Sequence, residues 1–333
     1  RRGSETCARS ALVAAGWCSF TGVHHPNPCS EEEGLNALAL RTISAPATFP
    51  RLMRIDRMTS HFARPALVCN SRSGSFDAAV RDAIEEACRE HGAPLAATFA
   101  LPDDDIPDAA ALRAKGIDLL LIWTGDGTIN AAATAAEGWD GAILPLPGGT
   151  LNLLSKALHG EREAPEIVAD ALAGKGRRRP IPVVRGADRT AFITVVAGPA
   201  TRWAEVRETM RQEGLIEASR EAPEAFDAML NAPGVRVAGQ DRSWPAIILT
   251  PAETGLQADG ILAEGTADVV RHGLAWLGGD FRDGPSERIA EGETIILESE
   301  APISLEYDGE LGETASPARF ALGMSAVDFV ATA

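Results

Sequence analysis

Short apolar runs separated by amphipathic stretches predict an alternation of strands and helices over residues 64–180. Apolar runs at 66–69, 95–100 and 117–123, interrupted only by Thr98 and Asp118, are typical of strands buried on both faces. Between the first two runs, Val80, Ile84, Ala87 and Cys88 recur at three- and four-residue steps, which predicts a helix. Strands that alternate with helices form parallel sheets, so we predict an α/β domain over this range.

The rest of the chain has different patterns. Residues 181–317 hold short apolar runs punctuated by glycine and proline, which predicts a second domain built as a β-sandwich. Residues 1–63 show no sustained period and are expected to be a disordered extension or an upstream segment. The predicted fold class is therefore α/β plus β.

Composition narrows the functional classes. The chain has 333 residues and a formal net charge of −16, which argues against an ordinary basic nucleic-acid module. No apolar run approaches the roughly 20 residues that a membrane-spanning helix requires. The five cysteines are odd in number and include no C-x-x-C pair, which favours a reducing compartment over disulfides or a zinc site. We expect a cytoplasmic protein.

Three polar loops follow predicted strands and carry the candidate chemistry. They span residues 70–74, 124–130 and 147–152. The carboxyl ends of parallel strands bind ligands, and glycines there let the backbone approach a phosphate at a helix N terminus. Asp126, between Gly125 and Gly127, would repel a phosphate unless a divalent cation lay between them, or unless the carboxylate accepts a proton. Mg²⁺ with a nucleoside triphosphate satisfies both conditions.

Three motifs together resemble the diacylglycerol kinase catalytic family, which includes bacterial soluble lipid kinases and is related to sphingosine and ceramide kinases. The Gly-Gly-Asp-Gly-Thr motif of that family is matched by Thr124–Thr128, and its Pro-x-Gly-Thr-x-Asn motif by Pro147–Asn152. Its Asp-Gly-Glu motif is matched by Asp308–Glu310. The resemblance extends from about Arg64 to Val330, and it implies that the strands of residues 318–333 return to one of two domains and close the fold.

The resemblance implies a nucleotide-binding α/β domain of the NAD-kinase and diacylglycerol-kinase fold, a β-sandwich domain, and a cleft between them. It implies that Asp126 and Asp308 are catalytic, with either one as the base, and that Asp126 and Glu310 hold the metal. The residues that it assigns to the nucleotide are Asn70, Ser73, Gly74, Gly125, Gly127, Thr128, Gly149, Thr150, Asn152 and Glu310.

The implied activity is an ATP- and Mg²⁺-dependent lipid kinase, most simply one that converts diacylglycerol to phosphatidic acid. The implied partner is a lipid presented at a membrane surface, which the protein visits transiently. No nucleic acid and no transmembrane segment are expected, and a homodimer is left open. Two alternatives are a NAD kinase-like enzyme, which shares the Gly-Asp-Gly-Thr loop, and a catalytically inactive nucleotide-binding regulator.

Departures from the family pattern bear on these alternatives. Thr124 replaces the first glycine of its motif, which is tolerable only if that position does not need a positive φ. Ala131 and Leu153 replace acidic residues that many members carry, so two polar contacts to the nucleotide could be missing. Retention of Asp126, Asp308 and Glu310 favours the enzyme over the regulator.

Overall fold

The strand and helix patterns are realised in three β-sheets and the helices that cover them. The computed structural model describes residues 57–58, 61–212, 220, 223–225, 227–229, 231–262 and 284–333. These residues belong to one folded unit, Met53–Ala333. Within the described part of the chain, no helix has both the length and the apolar character that crossing a bilayer demands.

The elements of the first half alternate as predicted. Its strands are β1 (Arg57–Met58), β2 (Pro65–Asn70), β3 (Ala97–Leu101), β4 (Leu119–Thr124), β5 (Ala142–Pro147) and β6 (Arg177–Arg179). Its helices are α1 (Ala78–Glu90), α2 (Ala109–Ala114), α3 (Asp126–Ala135), α4 (Leu153–His159) and α5 (Ala164–Leu172).

The second half is mostly strand. Its strands are β7 (Pro182–Arg185), β8 (Thr190–Ala191), β9 (Val195–Ala197), β10 (Arg236–Val237), β11 (Ile247–Ala252), β12 (Gly255–Ile261), β13 (Ser286–Gly292), β14 (Thr294–Glu298), β15 (Ile303–Tyr307), β16 (Glu310–Thr314), β17 (Ala318–Met324) and β18 (Asp328–Ala331). A 3₁₀ turn at Pro199–Thr201 leads into α6 (Arg202–Gln212).

A seven-stranded sheet forms the centre of the first half, in the order β1-β6-β18-β5-β4-β2-β3. The strands β3, β2, β4, β5 and β18 pair in parallel, whereas β6 and β1 add an antiparallel edge. Alternate side chains of β4 explain why its sequence is apolar throughout: Leu119 and Leu121 pack with α1 and α5, and Leu120 and Ile122 pack with α2 and α3. The predicted α/β sheet is confirmed.

Two antiparallel sheets pack face to face in the second half. One has the order β10-β14-β17-β7-β8 and the other β13-β12-β11-β9-β15-β16. Val184, Ile295 and Phe320 of the first sheet meet Leu249 and Leu305 of the second in one buried cluster. The opposite face of the six-stranded sheet is covered by α6. This arrangement confirms the β-sandwich part of the predicted fold class.

The C-terminal strands divide between the two halves instead of returning to one of them. Strand β17 pairs with β7 in the sandwich, and β18 pairs with β6 and β5 in the seven-stranded sheet. The chain therefore passes between the two halves twice, from β6 to β7 and from β17 to β18, and the two crossings lie side by side. At the crossing, the Ser325 amide donates to the Ile181 carbonyl (2.8 Å), and the Ile181 amide donates to the Ser325 hydroxyl (2.9 Å).

The predicted extension over residues 1–63 is too long at its C-terminal end. Arg57–Met58 pairs with β6, and Phe62 is buried at 2% exposure. The amides of Ala63 and Arg64 donate to the Asp118 carboxylate at 2.8 and 3.0 Å. These contacts join residues that are far apart in the sequence, so the local hydrophobic pattern could not predict them. The prediction for residues 1–56, 59 and 60 lies outside the described residues.

Candidate functional site

The three predicted loops meet at the carboxyl edge of the parallel sheet, after β2, β4 and β5. The closest approach is between the second and third loops: a Cβ on Gly149 would stand 2.5 Å from the Gly125 Cα. A Cβ on Gly148 would likewise stand 2.6 Å from the Thr124 nitrogen. Since real Cβ atoms do not approach backbone this closely, both glycines are needed for the contact between the loops.

Asn152 holds the shape of the third loop. Its backbone has φ 53°, the left-handed region that asparagine tolerates better than most residues. Its side-chain oxygen accepts the Gly149 amide at 2.7 Å, and its side-chain nitrogen donates to the Gly149 carbonyl at 3.0 Å. The role of Asn152 in this structure is therefore to fix the glycine turn that faces Gly125.

The first loop is tied to the third by serine side chains. The Ser75 hydroxyl donates to the Gly148 carbonyl at 2.7 Å and lies 2.8 Å from the Ser73 hydroxyl. The Asn70 side chain accepts the Arg72 amide at 3.1 Å, which closes a local turn. Two loops that are distant in sequence are thus held as one surface.

A pocket opens between these loops and is floored by two aromatic rings. The Phe76 and Trp123 ring centroids are 5.4 Å apart with the rings tilted by 45°. The Trp123 indole N–H donates to the Pro147 carbonyl at 3.0 Å, which fixes the ring. The pocket is lined by Asn70, Ser73, Ser75, Phe76, Trp123, Thr124, Gly125, Thr128 and Gly148. The pocket is small, with about 30 Å³ of accessible space, and Trp123 is only 5% exposed, so its ring serves mainly to support the loops.

Asp126 is the first residue of α3, and its carboxylate lies at the start of α4. One oxygen accepts the Leu153 amide and the other accepts the Leu154 amide, both at 3.1 Å. The first amides of a helix have no partner within the helix, so this carboxylate caps α4 from a different element. Asp126 thereby connects the second loop to the third.

Asp308 sits in the tight turn that joins β15 to β16. The turn residues Asp308 (φ 49°) and Gly309 (φ 95°) both have positive φ, and Tyr307 pairs with Glu310 across the turn. These are the features of the two-residue hairpin turn for which Asp-Gly is a preferred sequence. Although it is a turn residue, Asp308 is only 9% exposed.

The Asp308 carboxylate is surrounded by N–H donors. Its Oδ1 accepts the amides of Ile193 (2.9 Å) and Thr194 (3.0 Å), and its Oδ2 accepts the Phe192 amide (2.7 Å). Burial raises the pKa of Asp308 to about 6, and the N–H donors act in the opposite direction. The buried carboxylate is thereby fixed by hydrogen bonds to one short segment of the chain, Phe192–Thr194.

Asn130 supplies the fourth donor to that carboxylate and was not among the predicted site residues. Its side-chain nitrogen donates to the Asp308 Oδ2 and to the Thr190 carbonyl, each at 2.8 Å. Asn130 lies four residues after Asp126 on α3, so the two side chains share one face of the helix. That spacing is the sequence signal that could have identified it.

Glu310 reaches from the sandwich to the N terminus of α3. A Cβ on Gly127 would stand 3.2 Å from the Glu310 Oε1, so the carboxylate lies directly over Gly127. Its other oxygen is 3.8 Å from the Arg189 guanidinium, and both side chains are largely exposed. Glu310 and Asp126 therefore flank Gly127 from the two halves of the protein.

A magnesium ion fits this arrangement only as part of a nucleotide complex. Among the described residues, no three acidic, histidine or cysteine side chains come close enough together to hold a metal. Mg²⁺ is commonly bound by one or two carboxylates together with substrate phosphates and water. Glu310 and Asp126 are the residues that would supply the carboxylates, although both Asp126 oxygens already accept amides.

The predicted residues are not all in contact. Asn70, Ser73, Gly125 and Thr128 line one pocket, and Gly127 meets Glu310. Gly149 and Asn152 act on the loop backbone. A Cβ added to Gly74 would have no other atom within 4 Å, and Thr150 is exposed. The predicted site residues did not include Ser75, Phe76, Trp123 or Asn130.

The departures from the family pattern have local explanations. Thr124 is buried at the end of β4, and it is not among the described residues with a positive φ, so a side chain is tolerated there. Leu153 is buried in the apolar core, and its backbone amide binds Asp126. Ala131 is exposed on α3. Neither Thr124 nor Leu153 distorts the loops.

Comparison with known proteins gives a family match over part of the chain. Residues 64–185 match the family model described as the diacylglycerol kinase catalytic domain. No curated protein sequence matches the chain. The matched range contains the three loops and ends in β7.

Solved structures share the fold at low sequence identity. A structure described as a diacylglycerol kinase from Bacillus anthracis str. Sterne has a TM-score of 0.55 and 13% identity, and covers 82% of this chain and 98% of its own. A second structure from the same organism has the same TM-score and coverage at 15% identity. At this identity the similarity concerns the fold, over both halves.

Proposed function

We propose that the protein is an ATP- and Mg²⁺-dependent kinase of a lipid hydroxyl, on the premise that residues 64–185 match the family model described as the diacylglycerol kinase catalytic domain. The simplest acceptor is diacylglycerol, with phosphatidic acid as the product. The protein would act from the cytoplasm and meet its substrate transiently at a membrane surface.

The observation that carries this proposal is the position of Glu310 over Gly127. Through this contact, the hairpin of the second half meets the helix N terminus that follows the second loop. Phosphoryl transfer depends mainly on positioning and on neutralising the charge of the phosphates. A helix N terminus favours phosphate, and a carboxylate beside it favours the accompanying cation. Here the N terminus of α3 and the Glu310 carboxylate meet at Gly127.

Each group of residues has a proposed part in the reaction. The loops around Gly125 and Gly149 would bind phosphate through their backbone amides, with Asn70, Ser73 and Thr128 beside them. Bound Mg²⁺ would neutralise phosphate charge, with Glu310 and Asp126 as protein ligands. The hydroxyl proton of the acceptor would pass to one of the two predicted catalytic carboxylates, Asp126 or Asp308.

The lipid acceptor is proposed from the family model that residues 64–185 match, which is described as the diacylglycerol kinase catalytic domain.

The test is transfer of label from γ-labelled ATP into an organic-soluble product. Purified protein is incubated with Mg²⁺, labelled ATP and diacylglycerol in mixed micelles, with parallel reactions that contain NAD in place of the lipid. We expect label in the organic phase that depends on Mg²⁺ and diacylglycerol. Label in NADP would establish the dinucleotide kinase instead, and ATP binding without transfer to either acceptor would favour the regulator.

A further inference from the structure

Arg189 is an arginine of the second half that lies beside Glu310 with its donors unused. Its guanidinium is 3.8 Å from the Glu310 Oε2, which is longer than a hydrogen bond, and its side chain is 45% exposed. Within the residues that the structure describes, the Arg189 side chain makes no hydrogen bond. Exposed ion pairs of this kind contribute little to stability. The N–H donors of this guanidinium are therefore available to a ligand.

The backbone of Arg189 is fixed relative to α3. The Gly186 amide donates to the Arg189 carbonyl at 2.8 Å, which closes the hairpin between β7 and β8. The carbonyl of the next residue, Thr190, accepts the side-chain amide of Asn130 at 2.8 Å. Because Asn130 belongs to α3, the hairpin that carries Arg189 is held to the helix that follows the second loop.

Glu310 lies between Arg189 and the N terminus of α3. Its Oε1 stands over Gly127, and its Oε2 is the oxygen that faces Arg189. Arg189 and Gly127 are therefore on opposite sides of one carboxylate group. A helix N terminus attracts phosphate, so a phosphate bound at Gly127 would come close to both Glu310 and Arg189.

The charges of this region favour a further cation. Asp126 and Glu310 bring two carboxylates to the N terminus of α3, and a nucleotide would add the charge of its phosphates. Phosphoryl transfer depends on neutralising that charge. Arginine suits the task because its planar guanidinium donates two parallel N–H groups to phosphate oxygens. The loops of the first half would hold the nucleotide, so Arg189, which comes from the second half, would meet the phosphate that projects from them.

We propose that Arg189 is a catalytic residue that binds the terminal phosphate of the nucleotide and offsets its charge during transfer. The inference rests on the proposed kinase function and adds a residue that the family motifs did not indicate. In the transfer, the bond from the terminal phosphorus to the bridging oxygen breaks, a bond to the acceptor oxygen forms, and the nucleoside diphosphate leaves. The acceptor proton passes to a carboxylate, and Arg189 stays protonated throughout.

The first test compares the dissociation constants of ATP and ADP for wild type and Arg189→Ala, by isothermal titration with Mg²⁺ present. ADP lacks the terminal phosphate, so a residue that binds this group distinguishes the two nucleotides. We expect Arg189→Ala to weaken ATP binding about tenfold or more and to leave ADP binding within about twofold. An equal effect on both nucleotides, or no effect on either, would overturn the proposal.

The second test measures kcat for phosphate transfer to micellar diacylglycerol. Removing one donor from a developing negative charge typically costs about 100- to 1,000-fold, and we expect such a fall in Arg189→Ala. Arg189→Lys keeps the charge without the paired N–H groups and should lose less. Arg319→Ala is the matched control and should match wild type, because Arg319 is an exposed arginine of β17 that donates to the Thr294 hydroxyl at 3.4 Å. An unchanged kcat in Arg189→Ala, or an equal fall in Arg319→Ala, would contradict the role.

The two tests together separate this proposal from the proposed function. A protein that labels NAD and not diacylglycerol, but loses ATP affinity selectively in Arg189→Ala, would overturn the lipid acceptor and support the contact with the terminal phosphate. Wild-type protein that does not bind ATP would overturn both.

Discussion

Two glycines of the loops, Gly149 and Gly127, are constrained by the groups that face them. Gly149 faces the Gly125 Cα, and Gly127 faces the Glu310 carboxylate. In each case the missing side chain leaves room that another element occupies. The sequence pattern identified both glycines, but it attributed them to phosphate binding. The structure adds that Gly149 is also required for one loop to rest on the other.

Replacing Gly149 by alanine should therefore damage the site more than replacing Gly74. A methyl group at 149 would meet the Gly125 backbone, so the two loops must separate, at a cost of about 1–3 kcal/mol in the free energy of unfolding. We expect weakened ATP binding as well. Gly74→Ala is the matched control, since nothing lies within 4 Å of its built Cβ. Equal ATP affinities, measured by isothermal titration, would contradict this explanation.

The strands differ in how well the hydrophobic pattern of their sequences predicts them. Strands β2 and β4 could be predicted because their apolar runs are buried on both faces. Strands β13 and β16 could not, because they are the edges of the six-stranded sheet and most of their side chains face solvent. The junction between β6–β7 and β17–β18 was missed for another reason: it pairs residues about 140 positions apart. Local patterns carry no information on such pairing.

The candidate site also combines features that the local sequence predicts with features that depend on distant segments. Its loops could be read from glycines that follow apolar strands. The capping of α4 by Asp126 and the burial of Asp308 could not, because each depends on backbone amides supplied by a distant segment. Asn130 is intermediate: the helical spacing places it with Asp126, but its partner belongs to the second half.

The cap supplied by Asp126 predicts a stability effect on α4. Asp126→Ala removes the acceptor of the Leu153 and Leu154 amides, and the loss of such a cap typically costs about 1 kcal/mol. Asp126→Asn keeps one carbonyl oxygen as an acceptor and should lose less stability than Asp126→Ala. Urea unfolding of the two variants measures the difference. A stability equal to wild type in Asp126→Ala would show that α4 does not need this cap.

Across the whole molecule, a buried histidine ties the C terminus to the first half. The His159 ring at the end of α4 is 2% exposed, and its Nδ1 accepts the Thr332 amide at 3.3 Å just beyond β18. Burial lowers the pKa of His159 to about 4. The folded protein therefore keeps this ring neutral at pH values at which the unfolded chain would protonate it.

Stability should consequently fall as pH decreases from about 6.5 toward 4, because the unfolded state binds the proton more tightly. The contribution of His159 between pH 7.5 and pH 5 is about 2 kcal/mol. His159→Gln should lose less stability than wild type over this interval, and His61→Gln, at an exposed position, should follow wild type. Urea midpoints at both pH values measure this. Parallel curves for wild type and His159→Gln would contradict the assignment.

The most direct test of the kinase account is the rate of phosphate transfer to micellar diacylglycerol by Glu310→Gln, measured against Glu313→Gln. Both residues lie exposed on β16, but only Glu310 stands over Gly127 at the N terminus of α3. We expect Glu310→Gln to lose at least about 100-fold in kcat, and Glu313→Gln to match wild type. Equal rates in the two variants would contradict the claim that this contact between the halves is the site of transfer.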